Sequence, residues 1–126
     1  MQLYPATPYD YTSATDDLIF TAGACPLDAS GIVVSPGDRQ AQADRCVDNL
    51  LAALAVHGAG GAELLKTTIY VVATDRSHLT AVWEVVAARL GRTPSTLLGV
   101  AVLGWPGQLV EIEAIARRPE PVPPPR

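Results

Sequence analysis

A run rich in β-branched residues, Leu65 to Val72, stands between two stretches whose apolar residues recur at helical spacing, and this succession limits the fold more than any other feature. Before the run, Ala43, Val47, Leu50 and Leu54 repeat every three or four residues from about Asp38 onward, with Gly58 as a C-terminal stop. After it, Leu79, Val82, Trp83, Val86 and Leu90 form one stripe that Ser77 is placed to cap and Gly91 to end. The stripe is the signature of a core-facing helix. Helix, strand and helix in this order call for a sheet with helices packed on it.

The flanking segments supply more strands. Leu18 to Ala22 is a short apolar run closed by Gly23, and Ile32-Val33-Val34 follows after Pro26, Asp28 and Gly31, which predicts a hairpin. Ser95 to Leu103 and Leu109 to Ala116 read as two further strands joined by the turn-forming Gly104-Trp105-Pro106-Gly107. The expected order is ββαβαββ, an α+β domain with both helices on one face of the sheet. Its other face is then uncovered. Along the central run Thr67, Ile69 and Val71 alternate with Lys66, Thr68, Tyr70 and Val72, so neither side is strongly polar. An apolar sheet face asks for a partner, and a closed ring of identical subunits would cover it without leaving open edges. The pattern alone does not fix the number of copies.

At 126 residues the chain fits one domain, expected over residues 1–117, followed by a tail over residues 118–126. Five of the eleven prolines fall in residues 119–126, where extended polyproline geometry is expected. Apolar residues are spread along the chain with no continuous stretch of about 20, which argues against a membrane span. The start, Met1 to Asp10, lacks the basic and apolar character of a secretory signal, so a cytoplasmic location is expected. Thirteen acidic against nine basic residues give a net charge of −4 with no basic cluster, which makes nucleic acid a poor partner. Cys25 and Cys46 could pair in principle, but neither sits in a Cys-x-x-Cys and a reducing compartment favours free thiols, with Cys46 at a helix core position. His57 and His78 are spaced with neither a Cys nor a carboxylate as zinc would require, so no metal site is expected.

Several of these segments carry a recognisable pattern. Phe20-Thr21-Ala22-Gly23 is followed by Pro26-Leu27-Asp28 and Gly31, then by Gln42 and Asn49-Leu50 on the first helix. Lys66-Thr67-Thr68-Ile69-Tyr70-Val71 and Glu111-Ile112-Glu113-Ala114-Ile115-Ala116 complete it. From about Pro8 to Arg117 the chain resembles the reactive-intermediate deaminase (Rid, YjgF or endoribonuclease L-PSP-like) family. The resemblance implies a chorismate-mutase-like fold and a homotrimer whose sheets form a central barrel with small-molecule clefts between subunits. It further implies cofactor-free hydrolysis of reactive imines and enamines, such as 2-aminoacrylate, to the 2-oxo acid and ammonia.

In such proteins a glutamate opening the closing motif orients water, an N-terminal tyrosine lines the cleft, and an arginine clamps the substrate carboxylate. By resemblance these roles fall on Glu111, on Tyr9 in Pro8-Tyr9, and on Ser95 in Arg92-Thr93-Pro94-Ser95-Thr96 once one extra residue is allowed in the Gly104 to Gly107 turn. Ser95 departs from the signature arginine, and Ala24 and Trp83 replace the usual glutamine and asparagine. Gly23, Leu97 and Trp105 are the further candidates for the cleft, and Arg92 is the nearby cation that could stand in for the arginine.

Each candidate has a plainer explanation beside it. Glu111 could serve a structural ion pair, although an ionised carboxylate among Leu109, Val110 and Ile112 suits an acid/base tuned by burial. Tyr9 could pack with Tyr4 and Tyr11, Ser95 could bond its strand neighbours, Trp105 could cover a nearby residue, and Arg92 could favour a helix C-terminus. Cys25 could be a nucleophile, but no histidine is placed to activate it. Two functions follow: an imine or enamine hydrolase with an altered substrate, or a non-catalytic small-ligand-binding trimer of the same fold.

Overall fold

A computed structural model describes residues 2–120; residues 121–126, most of the expected proline-rich tail, lie outside the described residues. The elements are β1 (Thr12–Ala14), β2 (Leu18–Thr21), α1 (Arg39–Ala55), a 3-10 turn (Gly61–Glu63), β3 (Leu64–Val72), α2 (Arg76–Leu90), β4 (Ser95–Val100) and β5 (Val110–Arg117). They build one five-stranded sheet in the order β1-β2-β5-β3-β4. All pairs are antiparallel except β3 with β4, which α2 joins as a crossover.

Helix α1 begins where Asp38 accepts a hydrogen bond from the Ala41 amide at 3.0 Å. Its Val47, Leu50 and Leu54 are fully buried and share one core with Ile69 and Val71 of β3, Val110 and Ile112 of β5, and Val82 and Val86 of α2. Full burial of each such side chain stabilises the fold by roughly 1.5 to 3 kcal/mol. Leu79, Trp83 and Leu90 are half-buried and pack on the same core, so the α2 stripe is structural. Gly99 is required where β4 passes the end of β3, because a Cβ there would come 2.8 Å from the Ala73 carbonyl oxygen.

The α+β class and the ββαβαββ order stand, but the first hairpin is built from other residues. β2 pairs with Thr12–Ala14, while Ile32 to Val34 form no strand and contribute one bridge, Val33 with Leu27. Asp28 explains the difference: its carboxylate accepts from the amides of Ser30 and Ile32 at 2.9 and 3.0 Å and curls the segment into a turn. Thr12–Ala14 carries no apolar run to announce it, as suits a short edge strand. The cap of α2 is Asp75 rather than Ser77, whose amide donates to the Asp75 carboxylate at 2.8 Å. β4 ends at Val100, short of Leu103.

Both helices cover the face that carries Ile69, Val71 and Ile112. The opposite face carries Phe20, Lys66, Thr68, Tyr70, Leu98, Glu111, Glu113 and Ile115 by register.

Candidate active site

Strand alternation places Glu111 on the open face while its neighbours Val110 and Ile112 are fully buried on the other. The loop after β2 is fastened beside it, since Ala24 and Ile112 exchange backbone hydrogen bonds of 2.7 and 3.1 Å. This bridge sets Gly23 and Cys25 against the carboxylate. A Cβ on Gly23 would collide with Glu111 Oε2, so any larger residue there would displace the carboxylate from this position. The Cys25 thiol donates to Glu111 Oε1 at 3.3 Å and to the Gly23 carbonyl at 3.4 Å.

On the other side the Gly104 to Gly107 turn closes through the Gln108 amide, which donates to the Trp105 carbonyl at 3.0 Å. The Gln108 side chain returns the contact by accepting from the Trp105 amide at 3.1 Å, and its Nε2 donates to Glu111 Oε1, also at 3.1 Å. From the N-terminal segment, the Tyr9 hydroxyl stands 3.9 Å from Cys25 Sγ. Tyr9 meets Tyr11 edge to face at 6.1 Å, and Tyr4 meets Trp105 in the same way at 6.2 Å.

Together Tyr9, Ala22, Gly23, Cys25, Gly104, Trp105 and Glu111 line a cavity of about 200 Å³. Among the described residues no Lys, Arg or His lines it. Burial, then the Glu111 carboxylate, push the Cys25 thiol up to about 12, which keeps it protonated and unreactive as a nucleophile at neutral pH. Burial first, and neighbouring Cys25 second, likewise raise Tyr9 to about 12. The cavity therefore holds two fixed protons beside one carboxylate.

Of the residues singled out in the sequence, Tyr9, Gly23, Trp105 and Glu111 meet in this cavity. Ser95 does not line it; its hydroxyl bonds Thr67 Oγ1 at 2.6 Å and the Thr93 carbonyl at 2.9 Å on the helix-covered face. Leu97 packs on the core, and Arg92 lines a separate hollow of about 470 Å³ beside Trp83 and Pro94. On β4 it is Thr96 and Leu98 that share the Glu111 face, since Thr68 pairs with both Thr96 and Glu113, and Tyr70 with both Leu98 and Glu111. Gln108 escaped the sequence reading, although a polar residue entering an apolar strand three positions before Glu111 was the available signal. Among the described residues no group of three His, Cys, Asp or Glu could hold a metal ion, and no helix is long and apolar enough to cross a membrane.

The family model for Endoribonuclease L-PSP matches residues 1–118. The chain belongs to the Rid family. Protein DfrA of Myxococcus xanthus is 34% identical over 112 residues, 86% of this chain and 84% of that protein. A RutC family protein of Pyrococcus abyssi is 30% identical over 113 residues, 89% of this chain and 87% of that one. Among solved Rid structures, E. coli TdcF with bound serine superposes with a TM-score of 0.77 at 26% identity, covering 94% of each chain. The five-stranded sheet with two helices is thus the YjgF-like fold of the Rid family.

Proposed function

We propose that this Rid-family chain is a cofactor-free hydrolase of small reactive imines or enamines, with Glu111 as its catalytic residue and Tyr9, Gly23 and Trp105 as walls of the substrate site. The observation that carries the reading is the carboxylate of Glu111 held at the edge of a small cavity next to donors that keep their protons. In the reaction, water adds to the C=N carbon as Glu111 takes one of its protons. The protonated carboxyl returns that proton to nitrogen to give the carbinolamine; the carboxylate then takes the hydroxyl proton and delivers it to the amine as the C–N bond breaks, so that carbonyl compound and ammonia leave and the carboxylate is regenerated. A single carboxylate suffices for every transfer.

The substrate is one without a carboxylate beside the C=N group. Neither Ser95 nor Thr96 offers a guanidinium, and among the described residues no cation lines the cavity. E. coli TdcF, which shares this fold, is a protein with bound serine, and this supports a small-molecule ligand here. The open sheet face supports a homotrimer with its clefts between subunits, and two unpaired thiols suit a reducing compartment such as the cytoplasm. RNA cleavage, suggested by the name of the family model, fits poorly with a net charge of −4. A non-catalytic ligand-binding trimer is the second reading, favoured by the same lack of a cation.

Ammonia release from freshly generated imines separates the two. The hydrolase accelerates release from carboxylate-free imines and acts on their 2-carboxylated counterparts more slowly by on the order of 10-fold or more. No acceleration with either set leaves the binding reading.

A further inference from the structure

We propose that the surroundings of Glu111 divide its carboxylate into a held oxygen and a working oxygen, and that Gln108 is the positioning residue that makes the division. The proposal rests on the hydrolytic reading of the cavity. Oε1 accepts two hydrogen bonds, from Gln108 Nε2 at 3.1 Å and from the Cys25 thiol at 3.3 Å. Oε2 accepts none from the side chains among the described residues and lies over Gly23, where only the missing Cβ leaves it room. Since Gly23 lines the cavity, Oε2 is the oxygen placed to exchange protons with water and substrate.

Gln108 can hold its partner because it is itself fixed. It is only 4% exposed, its Nε2 also donates to the Val110 carbonyl at 3.0 Å, and its Oε1 accepts from the Trp105 amide at 3.1 Å. Turning the amide over would set its carbonyl against Glu111 Oε1 and its NH2 against the Trp105 N–H, so one orientation survives. A carboxylate pre-set in this way needs no reorganisation during proton transfer. The same amide ties the turn that carries the Trp105 wall to the acid/base group.

Two substitutions separate positioning from a merely structural role. Gln108→Glu keeps an acceptor for the Trp105 amide but sets a second carboxylate against Oε1, and Gln108→Met keeps the bulk and removes the donors. Positioning predicts that kcat falls by on the order of 10- to 10²-fold in both while KM stays within about two-fold. It also predicts that the acidic limb of the Gln108→Glu rate profile moves to higher pH through like-charge repulsion. Native-like kcat in Gln108→Glu would overturn the proposal.

A ligand-free readout is independent of any substrate. The Gln108 side-chain ¹⁵N resonance should move with pH in the native protein and stay still in Glu111→Gln. A resonance that ignores pH in both overturns the positioning whatever the enzyme does. One that responds as expected in a protein that turns over no imine supports the placement and removes the hydrolytic reading instead.

Discussion

A thiol that donates to a carboxylate keeps its proton, and for Cys25 this has a measurable consequence for stability. The folded state holds it at about 12 against an ordinary value near 9, through burial first and the Glu111 carboxylate second. A raised value means that the stabilisation is fully present below about 9 and is lost as pH rises toward 12. Between those limits the native protein should lose on the order of 1 kcal/mol per pH unit more than Cys25→Ala, in chemical unfolding followed from pH 8 upward. Parallel curves for the two proteins would show that the thiol is no more constrained than in the unfolded chain. At this scale the sequence was partly legible. Glu111 stood out as a carboxylate in an apolar strand, and Gly23 and Tyr9 through their motifs. The Gln108 and Cys25 contacts to Oε1 depend on how a turn and a loop meet the strand, which spacing does not encode.

At the level of the strand, register decides which side chain can reach a ligand. A slip of one residue exchanges the faces of a strand, and an alignment carried across the Gly104 to Gly107 turn is open to that slip. Pairing of Thr67 with Ser95 and of Thr68 with Thr96 sets Ser95 toward the helices and Thr96, exposed beside Lys66 Nζ at 2.6 Å, toward the Glu111 face. Thr96→Arg should therefore raise kcat/KM for carboxylated imines by on the order of 10-fold or more through a charge-assisted contact. Ser95→Arg should instead break the half-buried hydroxyl bonds to Thr67 and the Thr93 carbonyl, destabilise the fold by about 1 kcal/mol or more, and leave carboxylate turnover unimproved. Comparing initial rates and unfolding midpoints of the two variants checks both, and improved carboxylate turnover in Ser95→Arg alone would contradict the register. The long periodic elements were readable because their burial is local. The first hairpin was not, since the Asp28 turn and the polar strand Thr12–Ala14 answer to contacts distant in sequence.

Across the whole molecule, the open face sets apolar Phe20, Leu98 and Ile115 beside Lys66, Glu113 and Tyr70, whose hydroxyl donates to Glu113. A face of this composition is wide enough to want covering and polar enough to fix the register of what covers it. Copies of the same chain are the covering proposed here, and they would bring a neighbour's surface to the edge of the Glu111 cavity. The most direct measurement is the initial rate of carbonyl and ammonia formation from a carboxylate-free imine by native protein and by Glu111→Gln, with the mass of each followed by light scattering. The rate should be lower by on the order of 10² or more in Glu111→Gln, with both proteins near three times 13.2 kDa. Equal rates for the two proteins at the same mass would contradict a catalytic role for Glu111.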